Sequence, residues 1–287
     1  MVMTDILAHV FRTFMSQSEQ RKELDVPPPL PPLPPEAGCS TVLLVGERST
    51  SRSLLLLAAV TAASQMGMRV MFFTQTQIQS LPVSLQKCVP SLSPESLKKI
   101  QFSYPRTVEE LLQQVASLHE SPNTSPIPPS LIIVDRLESF LCAPAGDSYS
   151  GFHSGEQSSA AHLSALLCDT AAFLTQVLQQ RASSSAPCRV IASFQPERDT
   201  GKDSGGPSAT DPILDVLDRY FKIRCTLDRD RSYEAAAAGL QEIWNIYLSG
   251  TGIRDTSSTK HCDDRPGVAQ EWQLFIFPDG LMEFKLV

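Results

Sequence analysis

The residues whose types and spacing can carry chemistry lie in one short turn near the start of the chain. A run of β-forming residues, Thr41 to Val45, leads into Gly46. Ser51, Arg52 and Ser53 then stand where the phosphate-loop pattern G-x-x-x-x-G-K-[ST] has Gly, Lys and Ser or Thr. In that pattern, backbone N–H groups and a helix N-terminus surround a phosphate. The segment therefore predicts a phosphate-binding turn, although an ordinary strand, turn and helix would have the same order of residue types.

Two substitutions change the chemistry expected of this turn. Serine at position 51 would adopt the left-handed backbone of the missing glycine only at a cost of about 1 kcal/mol. Arg52 keeps the positive charge of the lysine but is longer, planar and forked, so it does not replace a compact ammonium group. The hydroxyl of Ser53 retains the means to hold Mg²⁺. We therefore predict feeble nucleotide chemistry from a turn of this composition.

Two later strands also end in polar residues. Leu131 to Val134 is followed by Asp135, the hhhhD pattern of a Walker B strand, whose carboxylate holds Mg²⁺ in P-loop proteins. A further strand, Arg189 to Phe194, ends at Gln195. Because parallel strands bind ligands at their carboxyl ends, we expect Gly46, Asp135 and Gln195 to converge at one sheet edge.

The elements that must position these residues predict an α/β fold with a mainly parallel central sheet flanked by helices. The apolar helix Leu54 to Met66 follows the turn, with Gly67 at its C-cap, and the capping box at Thr107 opens a second helix. The last strands form an antiparallel extension closed by the turn at Pro278 to Gly280. Those strands are 221–226, 242–248, 272–277 and 282–286.

The predicted organisation is an amphipathic N-terminal helix or tail over residues 1–26, a polyproline linker over 27–38 and a core domain over 39–287. The 287 residues carry a net charge of −7, which excludes a chain that binds nucleic acid through its overall charge. Seven scattered cysteines without a C-x-x-C predict reduced thiols in an intracellular protein. We expect no apolar run long enough to span a membrane.

The order of these motifs resembles the RecA recombinase core, and more closely the family of small RecA-like subunits of the metazoan Shu complex. The resemblance covers most of residues 40–287. The stretches that carry it are Lys99 to Pro105, Asp135 to Leu141, Ala161 to Ala172 and Arg219 to Phe221. It implies that the strand bearing Asp135 lies beside the strand before Gly46. The loops 143–155 and 196–212 match the two DNA-binding loops of RecA proteins.

The resemblance also implies a set of site residues, with ATP and Mg²⁺ as cofactors. The nucleotide-binding positions are Gly46, Ser51, Arg52, Ser53, Asp135 and Gln195. Ser53 and Asp135 would ligate Mg²⁺ when nucleotide binds, and Gln195 would sense the γ-phosphate. Arg198 and Lys202 are the expected DNA contacts of the second loop.

The implied role is nuclear: single-stranded DNA binding with a SWIM-type zinc-finger protein and stabilisation of RecA-type recombinase filaments in homologous recombination, notably in meiosis. The residue range 74–77, where RecA proteins have their catalytic glutamate, reads Thr-Gln-Thr-Gln, so only Gln75 or Gln77 remains to position water. Three interpretations follow: a RecA-like pseudo-ATPase scaffold, a working DNA-stimulated ATPase, or an unrelated α/β interaction module.

Overall fold

The computed structural model describes residues 6–15, 41–80, 85–86, 93–120, 128–142, 154–181, 186–196, 211–230, 242–250 and 268–287. Over these ranges the chain forms helices on both faces of one sheet. The helices are α1 (Ile6–Thr13), α2 (Arg48–Ser64), α3 (Pro94–Leu97), α4 (Val108–Ser117), α5 (Glu138–Leu141), α6 (Ser154–Arg181) and α7 (Pro212–Tyr220).

The described part of the sheet has nine strands in the order β3-β2-β4-β5-β1-β6-β7-β8-β9. Pairings from β3 through β6 are parallel, and those from β6 through β9 are antiparallel, as the sequence predicts. The strands are β1 (Thr41–Val45), β2 (Val70–Phe73), β3 (Ile100–Ser103), β4 (Leu131–Val134), β5 (Arg189–Phe194), β6 (Ile223–Asp230), β7 (Glu242–Gly250), β8 (Val268–Ile276) and β9 (Met282–Leu286).

One prediction of strand order is wrong. β5 lies between β1 and β4, so the strand that ends before Asp135 is not the neighbour of the strand that ends before Gly46. Hydrophobic runs such as these place a strand in the sheet interior but do not specify which strand lies next to which. The consequence for the site is that Gln195, at the end of β5, lies between the other two strand ends.

The local signals read from the sequence explain where the helices begin and end. Thr107 caps α4 by accepting the N–H of Glu110, and the carboxylate of Glu110 accepts the N–H of Arg106, one residue earlier than in the usual capping box. Gly67 adopts φ 67° after α2, the left-handed backbone that favours glycine. Gly280 has φ 85° in the turn that joins β8 to β9.

Two hydrophobic cores lie on the two faces of the sheet. The first packs α1 and α2 against the sheet and its antiparallel extension, and the second packs α4, α6 and α7 against the other face. Helix α1 belongs to the first core, because the Phe11 ring lies 4.7 Å from Phe284 and 5.6 Å from Trp272. The predicted divisions at residues 26 and 38, and the polyproline linker, lie outside the described residues.

The expectation about membrane-spanning runs needs correction. Within α6, residues Gly155–Arg181 are long and apolar enough in composition to cross a bilayer. In the structure this helix packs Leu163, Leu167 and Leu174 into the second core, where all three are buried. The helix has 28 residues, and its packing is that of a core helix.

Candidate nucleotide site

The three predicted strand ends meet at one edge of the sheet. Val45 is in register with Phe194 across β1 and β5, and Val134 is in register with Ala192 across β5 and β4. The residues that follow these strands, Gly46, Gln195 and Asp135, are therefore brought together, as the sequence predicts. The N-terminus of α2 lies at the same edge and supplies Arg52.

The centre of the site is an ion pair between Arg52 and Asp135. The Nε and one terminal nitrogen of Arg52 lie 3.0 and 2.9 Å from Oδ2 of Asp135. The Asp135 side chain is fully buried, whereas that of Arg52 is 28% exposed. Because a buried carboxylate needs a positive charge or several donors, this guanidinium is the group that makes the burial of Asp135 tolerable.

Two hydroxyl groups complete the environment of Asp135. Thr74 donates its hydroxyl to Oδ2 at 2.9 Å and accepts a bond from Arg52 at 3.1 Å. Ser193 of β5 donates to Oδ1 at 3.4 Å. Oδ2 therefore faces three donor atoms, two from Arg52 and one from Thr74. This number exceeds its two lone pairs.

The turn between β1 and α2 does not form the loop of inward-pointing backbone N–H groups that surrounds a phosphate in the phosphate-loop pattern. Helix α2 begins at Arg48, so only Gly46 and Glu47 separate it from β1. The N–H of Ser51 is bonded to the carbonyl of Glu47 at 2.9 Å, as in any helix. Ser51 has no left-handed φ, so the strain predicted at this residue is absent because the loop that would require it has become helix.

Ser53 is also committed within the helix. Its hydroxyl donates to the carbonyl of Ser49 at 3.0 Å, one turn earlier. Asp135 is bonded to Arg52 and Thr74, so its Oδ2 is not open to a metal ion. As arranged, these residues do not fit a magnesium-bound nucleotide.

Gly46 has a packing role that the phosphate-loop pattern does not indicate. A Cβ at this position would lie 2.7 Å from Cβ of Leu227 on β6, closer than side chains approach one another. The glycine therefore permits close contact between the end of β1 and the antiparallel extension. Its φ is not in the left-handed region.

The segment that follows β2 is held by hydrogen bonds to other loops. The amide nitrogen of Gln75 donates to the carbonyls of Arg106 and Ser139, at 3.0 and 3.1 Å. The side-chain amide nitrogen of Gln75 is therefore used to hold two backbone carbonyls in place. In this arrangement it is not oriented to position water, the role predicted for it. Gln77 is exposed.

Sequence reasoning missed Glu138, the first residue of α5. Its side chain is only 7% exposed, its Oε2 accepts the N–H of Gln195 at 3.1 Å, and its Oε1 lies 3.6 Å from Nε of Arg48. Burial raises the pKa of Glu138, and the bond from Gln195 and the charges of Arg48 and Arg136 oppose this rise. A glutamate in the otherwise apolar run 137–141, directly after Asp135, is the signal that would have pointed to it.

The turn between Asp135 and Glu138 is strained. Arg136 has φ 62°, in the left-handed region that a bulky residue seldom adopts. Its N–H donates to the hydroxyl of Ser193 at 2.8 Å, and its guanidinium donates to Thr76 at 3.0 Å. These bonds hold a conformation that costs about 1–3 kcal/mol.

The predicted DNA contacts Arg198 and Lys202 lie outside the described residues, as does most of each predicted DNA loop. Their role stays a prediction.

Comparison with known proteins identifies the family. The chain is 34% identical over 196 residues to the ATPase SWSAP1 of Mus musculus, a match that covers 68% of this chain and 60% of that protein. It is 32% identical over 196 residues to the ATPase SWSAP1 of Homo sapiens, covering 68% and 74% respectively. The chain belongs to the SWSAP1 family. The match thus spans less than two thirds of the mouse relative, and no protein-family model matches the sequence.

Among the solved structures, the RadB recombinase supports the RecA-like fold. The RadB recombinase superposes with a TM-score of 0.50 at 16% identity, over 86% of this chain and 91% of that one. A KaiC-like protein from Pyrococcus horikoshii gives a TM-score of 0.49 at 12% identity, over 87% and 90%. Membership of the SWSAP1 family excludes the interpretation as an unrelated interaction module.

The pH dependence of stability should report the burial of Glu138. Since its pKa is raised, the folded chain binds more protons than the unfolded chain between pH 4.5 and the folded pKa. Stability contributed by this group is therefore complete below pH 4.5 and declines as the pH rises through the folded pKa. We expect Glu138→Gln to remove this decline, so that the free energy of unfolding of the variant rises relative to that of the wild type as the pH rises. Urea unfolding of both proteins at several pH values would check this, and a difference that does not change with pH would contradict it.

Proposed function

We propose that this protein is a RecA-like accessory subunit of homologous recombination whose nucleotide site is closed by its own ion pair. It acts as a scaffold and not as an enzyme that depends on ATP turnover. The observation that carries the proposal is the Arg52 guanidinium bonded to Asp135, the carboxylate expected to hold Mg²⁺. Family membership and the RecA-like fold support the recombination role.

The closed site changes how the subunit would be stabilised. A RecA core that binds nucleotide gains stability by mass action. A core in which Arg52 supplies the positive charge needs no nucleotide-bound Mg²⁺ to neutralise Asp135. The net charge of −7 makes the chain a poor solitary ligand for DNA, so an additional source of DNA affinity is required.

We propose that a SWIM-type zinc-finger protein is this source. Together the two subunits would bind single-stranded DNA without sequence preference and stabilise RecA-type recombinase filaments in the nucleus, notably in meiosis. Arg198 and Lys202 are the proposed DNA contacts of this chain, and because they are few, its own binding has a shallow salt dependence.

The second candidate function is a DNA-stimulated ATPase in which Arg52 swings from Asp135 to the phosphates. The exposure of 28% of the Arg52 side chain is the observation that favours it. The two candidates differ in turnover and in the effect of restoring the lysine.

We expect ATP hydrolysis by the purified chain to fall below the 1 s⁻¹ or more that is typical of enzymes, at about a hundredth of that rate or less. The double change Ser51→Gly, Arg52→Lys should strengthen nucleotide binding, because glycine weakens the helical turn that replaces the phosphate loop and lysine cannot hold Asp135 through two nitrogens. Arg181→Lys, the same exchange at an exposed position at the end of α6, is the control and should have no effect. Turnover at enzymatic rates in the wild type that is lost in Asp135→Ala would establish the ATPase instead.

Co-expression with the SWIM partner tests the scaffold. We expect higher soluble yield, a higher melting temperature and at least about tenfold tighter binding of single-stranded DNA by the complex than by this chain alone, since that ratio corresponds to only about 1.4 kcal/mol. Asp135→Ala, which removes the acceptor of Arg52, should lower stability without lowering DNA affinity once the complex has formed. Equal stability and equal DNA affinity with and without the partner would contradict the proposal.

A further inference from the structure

Glu138 is a buried carboxylate that has no part in the ion pair between Arg52 and Asp135. It lies at the start of a four-residue helix, a place where glutamate is ordinarily in solvent. Burying a carboxylate is expensive unless donors surround it. Oε2 receives the N–H of Gln195, whereas the buried Oε1 has no hydrogen-bond partner and only Arg48 nearby.

The contacts of Glu138 join three elements that meet at the site. Arg48 is the first residue of α2, Glu138 follows β4, and Gln195 follows β5. These are the same elements whose ends would surround a nucleotide in a RecA-like core. Glu138 therefore supplies, from the segment after β4, a carboxylate that contacts the other two elements at Arg48 and Gln195.

The end of β5 is held at three points by the turn after β4. Leu137 donates its N–H to the carbonyl of Ser193 at 2.8 Å, and Arg136 donates its N–H to the Ser193 hydroxyl at 2.8 Å. Glu138 makes the third contact, at Gln195, and is the only charged acceptor of the three. At 3.1 Å it is longer than the two 2.8 Å bonds to Ser193, so the strand end is held by all three contacts together.

We infer that Glu138 is a positioning residue that fixes the end of β5 at Gln195, the residue from which the predicted DNA-contacting loop departs, without any bound nucleotide. This inference rests on the proposed function, because it assigns to the loop that follows Gln195 the role of contacting single-stranded DNA. An uncharged acceptor would be cheaper to bury. The negative charge of Glu138 allows one side chain to contact both the guanidinium of Arg48 and the N–H of Gln195 at the closed site.

The test compares Glu138→Gln and Glu138→Ala with the wild type in the full chain and its complex with the SWIM partner. The first readout is hydrogen exchange at the backbone amide of Gln195, with amides of β1 as an internal standard for global unfolding. The second readout is affinity for a fluorescent oligothymidine. Glutamine keeps the shape and one acceptor, so this variant keeps the test decisive should the β1 amides show that the alanine variant unfolds globally.

We expect exchange at Gln195 to rise about tenfold in Glu138→Ala and by less in Glu138→Gln, with β1 amides unchanged. Affinity for oligothymidine should fall in the same order, by about threefold to tenfold. Glu110→Gln is the matched control, because Glu110 also accepts a backbone N–H, from Arg106 at 2.7 Å, but at the exposed start of α4. It should leave both readouts unchanged.

Unchanged exchange at Gln195 in both Glu138 variants would overturn the inference. Faster exchange with unchanged oligothymidine affinity would also overturn it, because Glu138 would then be a structural contact alone. If the wild-type complex itself fails to bind oligothymidine, the proposed function fails, and exchange at Gln195 still reports whether Glu138 fixes the strand end.

Discussion

The arrangement of this molecule depends on how one fully buried carboxylate is neutralised. Asp135 has no exposed side-chain surface, and a bare charge in such a place is not tolerated. Arg52 provides the positive charge from the first turns of α2, and Thr74 and Ser193 provide hydroxyl donors. Removing one partner of such a pair costs about 3–5 kcal/mol when both are buried, and less here because Arg52 is partly exposed.

Several features of the site follow from this requirement. Helix α2 must begin early enough for Arg52 to reach across β5, and its start at Arg48 removes the loop that would surround a phosphate. Ser193 lies on the strand between β1 and β4, and its small side chain contacts both Asp135 and the N–H of Arg136.

Gly46 remains glycine because Leu227 leaves no room for a side chain. A residue type retained from the phosphate-loop pattern is thus explained by packing.

The sequence predicts the components of the site well and their connections poorly. Apolar runs that end in Asp135 and Gln195 indicate parallel strands with polar carboxyl ends, and parallel strands bring such ends together. The position of β5 between β1 and β4 could not be predicted, because a continuous apolar run gives no information about its neighbours. The helical state of Ser51 was missed because the motif was matched residue by residue, whereas α2 begins at Arg48, before the predicted start at Leu54. Glu138 was missed because its burial depends on contacts with Arg48 and Gln195, which are distant in sequence.

The most direct test of this account is a titration with Mg²⁺ and ATP followed at the side-chain Nε–H resonance of Arg52 in a nitrogen-labelled sample. If Arg52 replaces the magnesium ion as the partner of Asp135, this resonance will keep its position throughout the titration, and it will shift when Asp135 is changed to Asn. A saturable shift of the Arg52 resonance with added nucleotide, showing release from Asp135, would contradict the account.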